Sequence, residues 1–483
     1  MTTGIGPDHN LGVYNNNVDT IERAFTERYF LCKDGEGFRP AFQVSNQAYR
    51  STELVTFRDE VMRHMPHLPV LSLDQVVESY HGPKRRVYEE ARNSLYQTSL
   101  SARDAKLSSF VKFEKQDVSK APRVINPRSP RYNLTLGRFL KHAEHHYFRA
   151  INKVWGQRTR ATIIKGFNAD ASASILHDKW TVFKRPVAIG LDASKFDMHV
   201  SVQALKYEHS FYQSLFPGNR TLKELLSWQL LNRGVARAAD GLVKFAMPGT
   251  RSSGDLNTSL GNCILMCGLV WSYCQEKGID AELANNGDDC VLIVESDALA
   301  TVQDGLDLWF RKRGFAMTVE TPVYEFEQIE FCQTHPVQLS SGWRMVRNLS
   351  AVLQKDPMCL LPISNARSME RWWGAVGVCG KILCSGVPVH SSFYSLMDRS
   401  GDTTEGVIKE VYRNRSVLYN MRGVAEATCD ARARVSFYYA FGVLPDEQLC
   451  MERYYDGGKL VWHDGVPLPR DVVRTSPGMS LIQ

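Results

Sequence analysis

Two adjacent carboxylates stand between a turn and an apolar segment. In ANNGDDCVLIVE, residues 284–295, Asp288 and Asp289 follow Asn286 and Gly287 and precede a run of aliphatic residues. Asn-Gly is typical of a tight turn between two strands, so the pattern predicts a hairpin with both acids at its tip. The acids are then either solvated turn residues or ligands of a divalent cation, and this segment alone leaves both interpretations open.

A second pair of acids follows another apolar segment. In GLDASKFDMHV, Asp192 ends a predicted buried strand at 186–192, and Asp197 lies five residues later, past a short turn. Two Mg²⁺ ions about 3.5–4 Å apart can stabilise the attacking and leaving oxygens at a phosphorus, and each needs few carboxylates. Asp192 and Asp288 on adjacent strands would supply such a site, with Asp289 in support. Taken alone, the Asp192–Asp197 pattern is more typical of a solvated loop than of a metal site.

Small and polar residues lie between the two acidic segments. PGTRSSGDLNTSLGN contains Ser253, Gly254, Thr258 and Asn262 in the pattern Ser-Gly-x3-Thr-x3-Asn. Small residues permit close backbone approach to a ligand, and the following helix would place Thr258 and Asn262 on nearly one face. Their polar groups then need partners, for which a ribose hydroxyl is one candidate. The alternative is a helix cap formed by Ser253 or Asp255.

A basic segment precedes these motifs. Residues 111–131, VKFEKQDVSKAPRVINPRSPR, contain only two acids, Glu114 and Asp117. Prolines and an alternating pattern predict extended loops and strands rather than a helix. The segment is either a solvated basic surface or a binding site for an anion. Its cations are Lys112, Lys115, Lys120, Arg123, Arg128 and Arg131.

The elements that position these residues alternate between helices and strands. An apolar helical face is predicted at 134–156, and the pattern predicts an α+β core with helical regions on each side. The other predicted elements are a strand at 186–192, helix at 200–231, a Gly/Ser-rich start and apolar helix within 249–275, two strands around the turn at 287–289, helix near 297–313, a strand pair at about 315–340, and helices with loops from 346 to 483.

Composition limits the class of protein. A chain of 483 residues and 54.7 kDa is long enough for about two to four domains. The net charge of +6 is too small to establish a nucleic-acid partner without a local cluster. The longest apolar run, CILMCGLVW, is far below the ~20 residues of a membrane span. No signal peptide is recognisable at the N-terminus, and eleven scattered cysteines predict free thiols in a reducing compartment. We therefore expect a soluble, intracellular chain.

In this order, the three motifs together resemble motifs A, B and C of viral RNA-dependent RNA polymerases. The segments DASKFDMHV, SSGDLNTSLGN and NNGDDC, with GVYNNN near the N-terminus, are similar to the tombusvirus family of positive-strand plant viruses, near the carmoviruses. The resemblance covers about 110–340. It implies an α+β right-hand fold with fingers, a palm built on an antiparallel sheet, and a mostly helical thumb. The implied division is 1–17 N-terminal extension, 18–185 fingers, 186–200 palm, 201–248 fingers insertion, 249–345 palm, and 346–483 thumb and C-terminal tail.

The resemblance also implies roles for individual residues. Asp192 and Asp288 would bind two Mg²⁺ ions, for which Mn²⁺ is a substitute, and Asp289 would take the supporting position. The implied sugar-recognition set, which would contact the ribose 2′-hydroxyl of the incoming nucleotide, is Asp197, Ser253 and Asn262, with Thr258 beside them. A hydrogen-bond network around this hydroxyl rejects a deoxy sugar because buried polar groups would lose their partners.

Two other segments resemble conserved polymerase motifs, and a third departs from one. The basic segment resembles motif F, which covers the nucleotide's triphosphate; its best matches are Lys112, Lys115, Lys120 and Arg123, of which the last two match better. FCQ at 331–333 resembles motif E, a hairpin between palm and thumb. Motif D of some polymerases offers a lysine as proton donor to pyrophosphate, but here Lys312 precedes the Gly-Phe turn. No proton donor is therefore assigned.

The implied activity is RNA-templated RNA synthesis for viral genome replication and transcription. Its partners would be a single-stranded RNA template, nascent RNA, ribonucleoside triphosphates and a viral auxiliary replication protein that supplies membrane attachment. The implied location is the host cytoplasm, at membrane-associated replication complexes. The sequence leaves open the oligomeric state and whether synthesis starts de novo or from a primer.

The sequence departs from two rival functions, and it contains three decoy motifs. A reverse transcriptase usually has a bulky aromatic residue at the sugar position, where this chain has Asp197. A catalytically inactive RNA-binding protein would have no need of so many intact acids, because clustered carboxylates repel each other. HAEHH at 142–146 lacks zincin spacing, and GAVGVCGK at 374–381 lacks the Lys-Ser/Thr ending of a phosphate loop. The Trp pair at 372–373 favours core packing over base stacking.

Overall fold

The computed structural model describes residues 10–34, 37–361, 363, 365–401, 421–463 and 478–482. The helices in these ranges are α1 (Val18–Phe25), α2 (Thr52–Arg63), α3 (Leu73–Glu78), α4 (Gly82–Gln97), α5 (Pro130–Leu140), α6 (Glu144–Val154), α7 (Ala169–Trp180), α8 (Phe196–His199), α9 (Val202–Leu215), α10 (Arg220–Ser227), α11 (Thr258–Lys277), α12 (Leu299–Gln303), α13 (Leu306–Arg311), α14 (Leu349–Lys355), α15 (Ala366–Leu383), α16 (His390–Arg399), α17 (Ala431–Phe441) and α18 (Pro445–Gly457). A π-helical turn spans Thr26–Phe30, and 3₁₀ turns span Ser296–Ala298 and Phe326–Gln328.

Strands in the same ranges form two four-stranded sheets and four two-stranded ribbons. They are β1 (Leu11–Gly12), β2 (Cys32–Asp34), β3 (Gly37–Arg39), β4 (Leu107–Val111), β5 (Gln116–Asp117), β6 (Val124–Ile125), β7 (Pro186–Ser194), β8 (Leu231–Ala238), β9 (Gly241–Pro248), β10 (Ala281–Asn286), β11 (Asp289–Glu295), β12 (Ala316–Val319), β13 (Thr334–Leu339), β14 (Gly342–Arg347), β15 (Lys459–His463) and β16 (Gly478–Ile482).

The central sheet has four antiparallel strands in the order β10-β11-β7-β12. Alternation along β7 directs Val187, Ile189 and Leu191 into the core that contains the apolar helix α11. Ala188 points to the opposite face, where α7 contributes Ile175 to a separate core. Because the sheet is covered on both faces, polar side chains of β7 and β11 become accessible only where these strands end.

A second four-stranded sheet has the order β6-β4-β8-β9, with β4 and β8 parallel and the other pairs antiparallel. One face of this sheet packs on α1, where Phe25 shares a core with Leu107, Ala236 and Met247. The N-terminal helix is therefore fixed by packing against strands that lie more than 80 residues further along the chain.

The C-terminal helices form a core with the β13–β14 hairpin. Trp373 on α15 is only 1% exposed in this core. Strand β14 also packs on α7, and the buried guanidinium of Arg344 forms an ion pair with Asp170 at 2.5 Å. This contact joins the C-terminal core to the central sheet.

The α+β architecture is confirmed, and most predicted elements are present. Strand β7, the hairpin around residues 287–289 and the long apolar helix α11 occur where the patterns predicted them. The predicted helix at 134–156 is divided into α5 and α6 by a turn at 141–143. The predicted helix near 297–313 is likewise divided into α12 and α13, because Gly305 adopts a φ of 72°.

Three expectations were wrong or incomplete. The strands at 316–319 and 334–339 do not pair with each other: β12 pairs with β7, and β13 pairs with β14 across a tight turn. No strand was expected at 231–248, where β8 and β9 form a hairpin whose alternating Val243, Phe245 and Met247 face the α1 core. The region after 346 was expected to be helical, but it also contains the β15–β16 ribbon.

Parts of three expected regions lie outside the described residues: 1–9 of the N-terminal extension, 35–36 of the fingers, and 362, 364, 402–420, 464–477 and 483 of the C-terminal region. None of the described helices has the length and apolar character needed to cross a bilayer. No disulfide joins the described cysteines.

Candidate active site

The three acids expected to bind metal lie at one end of the central sheet. Asp289 on β11 is directly opposite Asp192 on β7 in the antiparallel register. Asp288 precedes it in the two-residue turn between β10 and β11, after Gly287, whose φ of 80° is a left-handed conformation that favours glycine. The predicted hairpin with both acids at its tip is confirmed, and pairing of β7 with β11 brings Asp192 beside it.

These carboxylates repel each other. Desolvation by the surrounding protein raises the pKa of Asp288, and the nearby Asp192 raises it further, while Arg123 acts in the opposite direction. Desolvation also raises the pKa of Asp289, with additional repulsion from Asp288 and Asp192. Solvent nevertheless reaches all three side chains. A cation bound among them would remove this repulsion.

The donor set fits Mg²⁺ better than a metal held entirely by protein. Within the ranges that the structure describes, no three Asp, Glu, His or Cys side chains converge as a ligand set. Mg²⁺ does not require one, because it keeps several waters or substrate phosphates and needs only one or two carboxylates. Asp192 and Asp288, which are accessible and close to each other, meet that requirement.

Two further carboxylates, which the sequence analysis did not single out, border the same end of the sheet. Glu320 and Glu330 line a 200 Å³ cavity together with Asp192 and Asp289. Burial raises the pKa of Glu320, and repulsion from Glu330 and Asp192 raises it further. The negative potential therefore extends behind the three acids. The sequence carries no motif for this pair, because β12 places Glu320 here only through its pairing with β7.

The residues expected to recognise a sugar are brought together beside the acids. Lys195 adopts a left-handed conformation with φ 50° and turns the chain from β7 into α8, which carries Asp197. The Ser253 hydroxyl donates to Asp197 Oδ2 at 2.6 Å. Asn262 on α11 lies close to the acidic turn, since a Cβ placed on Gly287 would be 3.7 Å from Asn262 Cβ. This hydrogen-bonded group and the acids form one continuous site.

Asp197 is a half-buried carboxyl with a raised pKa. Desolvation is the largest cause, the Ser253 hydrogen bond opposes it, and repulsion from Asp288 adds to it. Asp288 therefore acts electrostatically on Asp197, which couples the three acids to the hydrogen-bonded group around Ser253. A charge brought to one of them changes the protonation of the other.

The helix-cap alternative for Ser253 is not what the structure shows. Helix α11 begins after Asn257, and no side chain caps it. Asp255 instead forms a buried ion pair with Arg128 at 2.5 Å. The Thr258 hydroxyl donates to the backbone carbonyls of Ser252 at 2.9 Å and Asp255 at 3.0 Å. Thr258 therefore fixes the loop before α11, and Ser253 remains directed at Asp197.

A buried ion pair, which the sequence analysis missed, lies behind the Ser253–Asp197 hydrogen bond. Arg251 Nη2 and Glu208 Oε2 are 2.5 Å apart, and both side chains are fully buried. Arg251 Nε donates to Asn262 Oδ1 at 2.9 Å, and its backbone N–H donates to the Asp197 carbonyl at 2.7 Å. Arg251 thereby positions Asn262 and Asp197. The available signal was a lone acid, Glu208, on the inward face of α9.

The basic segment acts on the acids through the charge of Arg123. The Arg123 side chain is exposed, and its charge offsets part of the rise in the pKa of Asp288. Lys112 and Arg123 both form ion pairs with Glu114, at 2.6 and 3.3 Å. Lys120 is exposed on the same loop, where its backbone carbonyl accepts from Tyr14 at 2.9 Å. Both cations therefore contact Glu114, and of the two Arg123 also acts electrostatically on Asp288.

Lys115 points towards the C-terminal core. Its ammonium group donates to the backbone carbonyl of Lys355 at 2.5 Å and lies 5.9 Å from the ring centroid of Trp372. Burial lowers its pKa. Lys115 also lines a 740 Å³ cavity that extends from Asn286, beside the acidic turn, to α15 and α16. Lys115 therefore joins the basic segment to the C-terminal helices across this cavity.

The decoy motifs have structural roles. Residues 374–381 lie inside α15 and form no phosphate loop. Trp372 and Trp373 are both buried in the C-terminal core, which confirms packing as their role. His142 and His146 belong to no metal-ligand cluster of the described chain.

Comparison with known proteins identifies the family. The sequence profile described as "Viral RNA dependent RNA polymerase" matches residues 1–463. This chain belongs to that family. It is 42% identical over 473 residues to the RNA-directed RNA polymerase of Tobacco necrosis virus (strain A), covering 96% of this chain and 64% of that protein. It is 41% identical to those of Cucumber necrosis virus and Tomato bushy stunt virus (strain Cherry), in each case covering 94% of this chain and 55% of the relative.

The predicted resemblance to tombusvirus and carmovirus polymerases is thereby confirmed. The chain spans between about half and two thirds of the length of these relatives. The motifs that carried the resemblance, within 192–197, 253–262 and 287–289, are those that the structure of this viral polymerase chain brings into one site.

Proposed function

We propose that this chain catalyses RNA-templated synthesis of RNA from ribonucleoside triphosphates, for replication and transcription of a plant-virus genome. The observation that carries the proposal is the pairing of Asp192 with Asp289, which brings Asp192 beside Asp288 next to the Ser253–Asp197 hydrogen bond. Metal-binding acids and a sugar-recognition group in one accessible cleft are what nucleotidyl transfer with ribose selection requires.

The proposed reaction is in-line attack of a 3′-hydroxyl oxygen on the nucleotide's α-phosphorus. A new P–O bond forms as the bond between the α-phosphorus and the bridging oxygen breaks, and pyrophosphate leaves. Asp192 and Asp288 would hold two Mg²⁺ ions, or Mn²⁺ as a substitute, which neutralise the charge that develops around phosphorus. Asp289, opposite Asp192, would support their position.

Sugar and triphosphate recognition are assigned to neighbouring groups. Asp197, Ser253 and Asn262 would contact the ribose 2′-hydroxyl, and Thr258 would hold their loop by its two backbone hydrogen bonds. The basic segment would neutralise the triphosphate. Within it, Arg123 has the strongest support because its charge acts on Asp288. The other proposed members are Lys112, Lys115 and Lys120.

The right-hand subdivision is part of the proposal. The central sheet with α11 corresponds to a palm (186–200 and 249–345), and the basic segment and the β8–β9 hairpin to fingers (18–185 and 201–248). The described C-terminal helices correspond to a thumb (within 346–483). The contact between Lys115 and the Lys355 carbonyl would then join fingers to thumb above the 740 Å³ cavity.

We further propose three classes of partner. A single-stranded template and the nascent strand would occupy the cleft beside the acids, and ribonucleoside triphosphates would enter under the basic segment. A viral auxiliary replication protein would attach the enzyme to membranes at cytoplasmic replication complexes.

The test is incorporation of labelled ribonucleotides on a short primed single-stranded RNA. Template-dependent product should form with Mg²⁺ and disappear with chelator. It should also disappear in Asp288→Asn, which removes one charge without changing side-chain shape. Asp307→Asn, at an exposed i,i+4 ion pair on α13, is the matched control and should retain full activity. Full Mg²⁺-dependent activity in Asp288→Asn would refute the assignment of the site.

A further inference from the structure

The N-terminal π-helical turn Thr26–Phe30 contacts the candidate active site with several of its residues. In an α-helix the Glu27 carbonyl would accept the Leu31 N–H. Here the Leu31 N–H donates instead to Thr26 O at 2.7 Å, which leaves the Glu27 carbonyl available. Lys195 Nζ donates to that carbonyl at 2.6 Å. The widened turn therefore binds the residue that turns the chain between the metal-binding and sugar-binding acids, and such turns are often found at functional sites.

The same turn fixes the basic segment. Arg28 Nε donates to the carbonyls of Ala121 at 3.0 Å and Pro122 at 2.8 Å, directly before Arg123. Arg28 thus acts on backbone atoms of the loop that presents Arg123 to the acids. Two sides of the proposed nucleotide site rest on one turn of five residues.

The third contact of this turn is made by Tyr29. Its side chain is buried, and its hydroxyl accepts a hydrogen bond from Asn126 Nδ2 at 2.9 Å. Burial raises the pKa of Tyr29, and the charge of the nearby Asp197 raises it further. The backbone is fixed at the same place, because the Asn126 N–H donates to the Ser253 carbonyl at 2.7 Å.

The link from Tyr29 to Ser253 runs through Asn126, which is fully buried. Its side-chain amide donates to the Tyr29 hydroxyl, and its backbone N–H donates to the Ser253 carbonyl. Ser253 donates its one hydroxyl proton to Asp197. A hydroxyl has one proton to donate and two lone pairs to accept with, so Ser253 Oγ can still accept a proton from a bound ligand.

We propose that Tyr29 is a positioning residue for sugar selection: through the buried Asn126, whose backbone N–H binds the Ser253 carbonyl, it keeps Ser253 in the position from which its hydroxyl accepts the ribose 2′-hydroxyl proton. This inference rests on the proposed polymerase function. Tyr29 would not touch the reacting atoms. Loss of its hydroxyl would take away the partner of the buried Asn126 amide and let the Asn126–Ser253 pair shift, which weakens the contact that only a ribonucleotide makes.

The experiment compares Tyr29→Phe with the matched control Tyr49→Phe. Tyr49 is equally buried, and its hydroxyl donates to the Arg313 carbonyl at 2.8 Å, away from the sugar group. Single-nucleotide incorporation of ATP and 2′-dATP opposite a template uracil gives the ratio of their kcat/KM values. Tyr29→Phe should reduce this ratio about 3- to 10-fold, the effect of one hydrogen bond, mainly by raising the KM for ATP.

Several results would overturn the proposal. One is an unchanged ratio in Tyr29→Phe, and another is an equal loss with both nucleotides, which would indicate a merely structural role. Tyr49→Phe should leave the ratio within about twofold of wild type. If Tyr29→Phe does not fold, Asn126→Ala removes the preceding hydrogen bond and should lower the ratio in the same direction; no change would contradict the proposal.

A separate binding measurement distinguishes failure of this inference from failure of the proposed function. The thermal shift caused by ATP with Mg²⁺ is compared with that caused by 2′-dATP. If wild type incorporates no nucleotide, the polymerase proposal fails in this assay. The positioning role is still tested, because wild type should prefer ATP in binding and Tyr29→Phe should lose part of that preference. Equal preference in both proteins would refute it.

Discussion

Glu208→Gln should destabilise the protein far more than an ordinary charge removal. The side chain keeps its shape, but Arg251 loses its counter-charge in a site where both side chains are fully buried. The remaining polar contact of the guanidinium is the neutral Asn262 Oδ1. Removing one partner of a buried ion pair costs about 3–5 kcal/mol, because it leaves an uncompensated charge. That is a large part of the about 5–15 kcal/mol of a typical domain.

The pH dependence of this effect has a definite sign. Burial alone would raise the pKa of Glu208, but Arg251 and His209 more than offset this effect, so its pKa is lowered from the ordinary 4.5. A carboxyl with a lowered folded-state pKa contributes stability above its unfolded pKa and loses it as pH falls. The difference between wild type and Glu208→Gln should therefore be complete at pH 7. It should shrink below the ordinary pKa of 4.5.

Urea unfolding followed by tryptophan fluorescence measures this difference, with Asp307→Asn as the control. Asp307 forms an exposed i,i+4 pair with Arg311, for which a cost of about 0.3–0.5 kcal/mol is expected. The double variant Glu208→Leu/Arg251→Met should recover most of the stability, since apolar replacement of a buried pair is often neutral. It should not recover nucleotide affinity, because Asn262 has lost Arg251. A cost below about 1 kcal/mol for Glu208→Gln would refute the reasoning.

Three further outcomes are expected. Mg²⁺ should raise the melting temperature of wild type but not of Asp192→Asn/Asp288→Asn, as thermal scans with and without chelator would show; an equal shift in both proteins would place the cation elsewhere. Asp289→Asn should raise the melting temperature at pH 7 and lose that gain in acid, because a carboxyl with a raised folded-state pKa destabilises the fold once it ionises; a gain independent of pH would contradict this. Arg123→Gln should raise the KM for nucleotides about tenfold with a smaller change in kcat, and Lys120→Gln should raise the KM by less. If steady-state kinetics show the larger rise in KM for Lys120→Gln, the triphosphate lies at Lys120 instead of Arg123.

The position of the acids could be predicted because it follows from local rules. Aliphatic runs predicted β7 and β11, and Asn-Gly predicted the turn between β10 and β11. Once the two strands pair antiparallel, acids at their adjoining ends must meet, which brings Asp289 opposite Asp192. The α11 helix followed from its apolar length. Local sequence patterns were therefore sufficient to predict where the three acids lie.

The groups that hold the site could not be predicted in this way. Glu208 and Arg251 are 43 residues apart, and only the packing of α9 against α11 brings them together. Tyr29 and Ser253 are separated by an even longer stretch of sequence, and no local pattern relates them. Lys115 has the same residue type as its neighbours in the basic segment, yet it points to the Lys355 carbonyl. Side-chain direction on an irregular loop depends on the tertiary surroundings, and residue type alone does not determine it.

The buried polar groups have a common arrangement that explains why they are not replaced by an apolar core. Asp197 must keep one orientation although it is a half-buried acid next to other acids, and repulsion alone would move it away. Ser253 fixes its carboxylate, the Arg251 backbone fixes its carbonyl, and Arg251 itself is held by Glu208. Apolar packing would exclude water here but would not fix an orientation, because dispersion has no direction. The proposed task of distinguishing a hydroxyl from a hydrogen needs directional contacts, and hydrogen bonds among the buried groups behind Asp197 and Asn262 make these contacts more rigid.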